Sequence, residues 1–255
     1  MTGLLRSELR KLTTGRTVLV LTVVGLALTA AGATFGLFAT ELTGPFTGSA
    51  REVADAVGSV GGTAVIALVV GILSVTTEFR HATIGRTLQI APSRSRVLVA
   101  KLIAAVGYAL VLVALMLALV GVMLAVAATT NDVGLTWSAE ATRTLWQAPV
   151  GFALNAMLGV AIGALLRSQV VAITVTLVWM FVVESLFYFL LPSVARFLPF
   201  TALEALFPDE SGAAVEAGLG MTFVPLEPGV ALAVFLGYVV TACVAAGVHL
   251  TRGDV

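Results

Sequence analysis

The densest block of ionisable side chains in this sequence is the run "TEFRHATIGRTLQIAPSRSR" at residues 77–96. It combines one acid, Glu78, with His81 and four arginines, and long apolar stretches flank it on both sides. The second histidine, His249, lies far away, and Cys243 is the one cysteine. The sequence therefore predicts neither a metal site nor an intrachain disulfide.

Motifs for enzyme chemistry are missing as well. A phosphate-binding loop needs a lysine directly after a glycine, but Lys11 follows Arg10 and Lys101 follows Ala100. The zinc-protease motif H-E-x-x-H and the hydrolase motif G-x-S-x-G do not occur, and the aspartates all fall outside the apolar segments. The chain is predicted to be no enzyme and to bind no cofactor itself.

Composition places the chain in a membrane. It has 255 residues, of which 59% are hydrophobic and 11% charged, whereas about 25% of the residues of a soluble domain are charged. Six segments are long and apolar enough to cross a bilayer: residues 17–38, 57–76, 98–128, 147–166, 170–191 and 229–250. The third is too long for one simple crossing and is predicted to begin with an interfacial turn around Lys101. We expect an all-α integral membrane protein with one domain, residues 1–255.

Basic residues are sorted to one side of these spans. Six spans put both termini, the 77–97 loop and Arg167 on the same side. That side carries eleven of the fourteen basic residues, and the other carries only Arg51, Arg143 and Arg196. Since positive charge favours the cytoplasm, we expect a multi-pass protein of the inner (cytoplasmic) membrane with both termini in the cytoplasm. A cleaved signal peptide ending near "AAGA" (30–33) is the alternative interpretation of the first span.

The N-terminal stretch "LLRSELRKL" predicts an interfacial helix at residues 3–14. Leu5, Leu9 and Leu12 recur at helical spacing, with Arg6 and Arg10 beside them. This pattern suits a helix on the anionic inner leaflet of the lipid bilayer, although an ordinary positive flank explains it equally well.

Polar positions inside the spans are candidates for a substrate path. Asn155 lies between glycines spaced four apart in the fourth span, and Thr241 occupies a similar row in the sixth. Glu184 is the only acid within a predicted span, where a charge is costly. For Asn155 and Thr241, static packing of the helices is the alternative that the spacing favours. Glu184 could be a hydrogen-bonded or protonated residue near the span's end.

The loop at residues 192–228 is too apolar for an ordinary linker. It mixes phenylalanines and leucines with Pro192, Pro199 and Pro208. We expect short, partly re-entrant helices on the outer side between spans five and six.

The 77–96 run itself predicts a short cytoplasmic helix. Ile84, Leu88 and Ala91 share one face, and Pro92 ends the helix. Held between two spans, such a helix could pass force from a soluble partner to both of them. A plain positive-inside anchor is the alternative.

The sequence resembles the permease subunits of type-2 ATP-binding-cassette (ABC) exporters of bacteria. The matching stretches are "ELRKLTTGRTVLVL", "TEFRHATIGRTLQIAPSRSRVLVAKL" and "RFLPFTALEALF", together with the six-span plan. In that family the segment between spans two and three is the coupling helix that docks on the ATPase. The resemblance assigns this role to Glu78, Arg80, Thr83, Ile84 and Leu88. Many relatives have glycine where this chain has Ala82.

The same resemblance implies the partners. A six-span chain would be half of a transporter, so a second permease chain, identical or different, and separate ATPase subunits that use ATP and Mg²⁺ are expected. No nucleic-acid partner is expected. A secondary transporter, which should show internal repeats and charged sites within the membrane, and a non-transporting multi-span protein are the alternatives.

Overall fold

The computed structural model describes residues 2–39, 45–80, 94–207 and 223–252, and within them all regular structure is helical. Eleven α-helices follow one another within these ranges: α1 Thr2–Thr14, α2 Arg16–Ala39, α3 Ala50–Gly58, α4 Val65–Arg80, α5 Arg94–Asn131, α6 Ala139–Leu166, α7 Gln169–Val178, α8 Glu184–Leu190, α9 Pro192–Ala195, α10 Pro199–Glu204 and α11 Pro228–Arg252. A 3₁₀ turn, Gly61–Thr63, lies between α3 and α4, and a π-helical turn, Trp179–Val183, joins α7 to α8.

Six helical stretches are long and apolar enough to cross a membrane. They are Arg16–Phe35, Ala50–Arg80, Ser95–Asn131, Ala139–Leu166, Gln169–Leu190 and Pro228–His249, called spans one to six. Each overlaps one of the segments that hydropathy predicts, so the prediction of an all-α, multi-pass membrane protein is confirmed. The agreement has a simple cause, because a chain in lipid must satisfy its own backbone hydrogen bonds.

Span three differs from the prediction at its start. Helix α5 is continuous over 38 residues, and Lys101 lies inside it with only 2% of its surface exposed. The predicted interfacial turn around Lys101 is therefore wrong. At 1.5 Å per residue the helix is about 57 Å long, well beyond the roughly 30 Å of a hydrocarbon core. It must therefore project beyond the hydrocarbon, and the buried Lys101 lies near its first turns.

Spans two and four form the centre of the bundle. In each of these two spans, more than half of the residues in the most apolar stretch are buried. In spans one, five and six, fewer than a quarter of the corresponding residues are buried. The backbones of spans two and four touch: a Cβ atom at Gly159 would overlap the carbonyl oxygen of Leu68, and one at Gly71 would overlap that of Ala156. Small residues permit such close approach in lipid, so the tight packing expected of the Gly159 row is confirmed.

The short helix α10 packs beside the ends of spans four and six, and α9 packs against α8. Phe200 and Leu203 of α10 are buried in one apolar cluster with Phe235 of span six. Just beyond α10, the ring of Phe207 fills the space left by two glycines, since a Cβ at Gly61 or at Gly151 would lie 2.9 Å from it. This end of the bundle is therefore closed by packed aromatic side chains.

Candidate functional site

Four charged side chains meet where α1, span two and span three come together. We call this group the ion ring; its members are Glu8 and Lys11 of α1, Glu78 at the end of α4, and Lys101 of α5. Glu8, Glu78 and Lys101 are each at most 5% exposed, whereas about half of the Lys11 side chain is accessible. Two acids and two bases make the ring neutral, which is what allows so much charge to be buried.

Each lysine of the ring bridges both carboxylates. Lys101 Nζ lies 2.7 Å from Glu78 Oε1 and 2.8 Å from Glu8 Oε2, and it also donates to the carbonyl oxygen of Ser74 at 2.9 Å. Lys11 Nζ lies 2.5 Å from Glu8 Oε1 and 2.7 Å from Glu78 Oε1. The three ammonium protons of Lys101 therefore all have acceptors, and three helices are tied at one point.

Lys11 is the member of the ring nearest to water. Burial alone would lower the pKa of Lys11, but hydrogen bonds and charge from Glu78 and Glu8 outweigh it and raise the pKa above its usual 10.5. Lys11 therefore stays protonated at every physiological pH, and the ring keeps its neutral balance.

Arg80 has a different environment from Glu78, two residues before it. Its side chain is exposed, and its Nη1 lies 3.5 Å from Oε1 of Gln169, at the start of span five. Close by in sequence, Arg167 adopts a left-handed backbone conformation, with φ of 53°, and places its guanidinium over the ring of Phe79. The end of span two thus contacts span five as well as span three.

The predicted coupling residues are only partly within the described structure. Glu78 and Arg80 are described; Thr83, Ile84 and Leu88 lie outside the described residues. The structure places the carboxylate of Glu78 inside the ion ring, where it contacts lysines of this same chain. Its coupling role stays a prediction.

Glu184 is a buried carboxylate outside the ion ring, and all of its described partners are neutral. Its Oε1 accepts from Trp179 Nε1 at 2.9 Å and from the backbone N–H of Phe200 at 3.1 Å. Its Oε2 accepts from the backbone N–H and the hydroxyl of Thr201, at 2.7 and 2.8 Å. No ion pair found among the described residues includes Glu184. The carboxylate fixes the first turn of α10 to span five.

The π-helical turn helps to place Glu184. The backbone N–H of Glu184 bonds to the carbonyl of Trp179, five residues earlier, and the same two residues are joined by their side chains. Such wide turns are common at functional positions in helices. A cavity of about 290 Å³ lies beside them, lined by both carboxylates of the region, Glu184 and Glu204, and by aromatic rings.

Asn155 and Thr241, the other predicted substrate-path residues, lie in contrasting places. Asn155 is buried, and its amide donates to the carbonyl of Gly151 on its own helix. Thr241 faces outward from span six, and Gly237 on the same row has no described neighbour within 4 Å of its would-be Cβ. Their part in a substrate path stays a prediction, as does that of Glu184.

Sequence reasoning missed Glu8 and Lys11 as members of a site. A signal was present, because the chain has only two lysines and both belong to the ring. The separation of 93 residues between Glu8 and Lys101 hid the pairing.

Comparison of the sequence with protein-family models gave no match, and comparison with curated proteins gave none either.

Proposed function

We propose that this chain is the membrane-spanning permease subunit of an ATP-driven ABC exporter. A separate ATPase subunit, which binds ATP and Mg²⁺, docks on the segment at 77–96 and drives the export of a substrate. The observation that supports this most is the ion ring, which joins the two ends of that segment: Glu78, at its start, pairs with Lys101, which follows its end. The sequence motifs quoted above give the second support.

The packing of span two suits it to transmit force. Its backbone touches that of span four at Gly159 and Gly163, so the two spans move together. A push on the 81–93 segment reaches α4 and α5 at once, because Lys101 holds their ends together. In this mechanism Glu78 is a positioning residue, and Arg80, which is exposed apart from its contact with Gln169, faces the ATPase.

The proposal includes an orientation and an assembly. The end that carries Lys11, Arg80 and Arg167 faces the cytoplasm, together with both termini, in the inner membrane. Helix α1 lies along the inner leaflet, and α9 and α10 dip back into the outer side. A second permease chain, identical or different, completes the path, since fewer than a quarter of the residues in the apolar windows of spans one, five and six are buried within this chain.

Purification of the tagged, full-length chain from the membranes of its native host tests the function. We expect a protein with a phosphate-binding loop to co-purify, together with ATP hydrolysis that vanadate inhibits. Ile84→Asp should lower both by about tenfold or more, because a charge in an apolar interface costs more than the ~1.4 kcal/mol to which tenfold corresponds. Leu135→Asp, the same change in an exposed loop at the other end of the bundle, is the matched control. ATP hydrolysis that survives Ile84→Asp unchanged, or the lack of any such partner, would refute the proposal.

Labelling of single cysteines in intact cells tests the orientation. In a Cys243→Ala background, a membrane-impermeant maleimide should label Leu135→Cys and leave Arg80→Cys unlabelled until the cells are opened. The reverse pattern would place the basic end outside, where no ATPase could reach it.

A further inference from the structure

The ion ring consists of two pairs that are each neutral by themselves. Glu8 and Lys11 lie three residues apart on α1 and contact each other at 2.5 Å. Glu78 and Lys101 form the other pair at 2.7 Å, between spans two and three. The contacts that join the two pairs are Lys11 with Glu78 and Lys101 with Glu8. The boundary between α1 and the bundle therefore divides the ring into two halves without net charge.

This division determines what happens to the charges if α1 leaves. Loss of one partner from a buried ion pair is strongly destabilising, because the remaining charge is then uncompensated. Departure of α1 removes one acid and one base together. Lys101 keeps Glu78 and the carbonyl of Ser74, and Lys11 keeps Glu8. Neither side is left with an unpaired charge.

Outside the ion ring, α1 contacts the bundle along one apolar edge, where Leu12 is buried in the main apolar cluster and Leu5 packs against it. Among residues 3–14 only Glu8 and Leu12 are buried, and Arg6 and Arg10 face outward. Near Gly107 of span three, the contact with α1 is loose: Cδ2 of Leu9 would lie 3.9 Å from a Cβ atom placed at Gly107. Gly15 is the one non-helical residue between α1 and span one, so the chain has a break in its helix where α1 could swing.

We propose that α1 is a detachable strap, which the ion ring holds across the ends of spans two and three and which can leave the bundle without stranding a charge. With α1 attached, Glu78 and Lys101 are held to each other and to α1. With α1 released, the Glu78–Lys101 pair and the Ser74 contact of Lys101 remain there. What release would change rests on the proposed function: the ends of the coupling segment become less constrained, so that α1 sets how firmly motion of the ATPase is passed on.

Distances between spin labels on the isolated full-length chain in lipid nanodiscs test the strap. The labels replace Ser7 on α1 and Val122 on span three, both exposed, in a Cys243→Ala background. We expect one main distance and a minor, longer one. Glu8→Gln should raise the share of the longer distance by roughly tenfold, because it leaves a net positive ring. Glu8→Gln with Lys11→Gln should raise it less than Glu8→Gln alone, since neutrality returns. Arg10→Gln, an exposed charge on the same helix, should leave the distances unchanged.

Thermal melting of the same samples separates a strap from an integral part of the core. Release of a strap leaves the bundle intact, so Glu8→Gln should change the melting temperature far less than Lys101→Met. A single short distance in Glu8→Gln, or a loss of melting temperature equal to that of Lys101→Met, would overturn the proposal. Both measurements use the chain without an ATPase, so their failure would leave the proposed function standing, and a failed co-purification would leave the strap standing.

Discussion

Glu78 and Glu184 are both buried glutamates at the ends of membrane spans, yet the protein accommodates them in opposite ways. Glu78 is compensated by two lysines, and it joins helices that are far apart in sequence. Glu184 is surrounded by an indole, two backbone amides and a hydroxyl, and it caps a short helix that follows closely in the chain. The stretch at 208–222, between α10 and span six, has no lysine, arginine or histidine that could supply a cation. The comparison teaches that a buried glutamate can join separate helices through ion pairs or fix a nearby backbone turn through hydrogen bonds.

The largest effect is expected from Lys101→Met. This change leaves Glu8 and Glu78 buried, with the half-exposed Lys11 as their remaining lysine. The loss of one partner of a buried ion pair costs about 3–5 kcal/mol. Unfolding in detergent, followed by the accessibility of Cys243, measures it. Lys11→Met is the matched control and should cost clearly less. Equal losses of unfolding free energy in the two variants would mean that burial does not determine how much each lysine stabilises the protein.

Glu184→Gln should have the next largest effect. The new amide group presents a donor to neighbours that are themselves donors, so a buried donor loses its partner, at a cost of about 1–3 kcal/mol. The free energy of unfolding checks this, and limited proteolysis should show faster cleavage in the 191–207 stretch. Transport by the complete exporter, measured in parallel, decides the further role: unchanged transport in Glu184→Gln would remove Glu184 from the gate or substrate path.

Thr201→Val removes only one of the four donors around Glu184. The backbone N–H of Thr201 remains, so the expected loss is about 0.5–1.5 kcal/mol. Thr201→Ser keeps the hydroxyl and should stay close to the wild type. If valine and serine behave alike in chemical unfolding, the hydroxyl contributes nothing and the amides alone hold the carboxylate.

The smallest effect concerns pH. Because the pKa of Lys11 is raised in the folded chain, the stabilisation that it gives is complete below its unfolded pKa of 10.5 and is lost as pH rises through the higher folded value. The melting temperature of the wild type should therefore fall towards that of Lys11→Met only above about pH 10.5. Curves that converge already between pH 7 and 9 would show that Lys11 is not held by the two carboxylates.

Much of the fold was predictable from local pattern. The six spans follow from hydropathy, and the glycines at intervals of four around Gly159 predict a packing face on span four, although not that span two contacts it. The same reasoning failed at Lys101, where a charge near the start of a long apolar stretch predicted an interfacial turn. Nothing nearby in sequence marks its partners, because Glu8 and Glu78 lie on other helices.

From the sequence, the candidate site residues could be recognised as polar side chains in or beside apolar segments, but their contacts could not be predicted. Glu184 stood out as the one acid within a predicted span, and both of its predicted environments, a path and a hydrogen-bonded position, were consistent with the sequence. Three of its four hydrogen bonds come from Phe200 and Thr201, beyond the turn at Pro192, so they depend on how the chain returns. Asn155 and Thr241 have similar spacing in the sequence, yet Asn155 is buried and Thr241 is exposed, because spacing does not say which face a neighbouring helix covers.

The sequence by itself determined that the chain crosses a membrane as six helices, because lipid satisfies no backbone hydrogen bond and each span must therefore be long, apolar and helical. The tertiary structure alone decided which charges meet. An ion pair is set by where helix ends come to lie in space, and Glu8, Lys11, Glu78 and Lys101 become neighbours only once three helices have packed together.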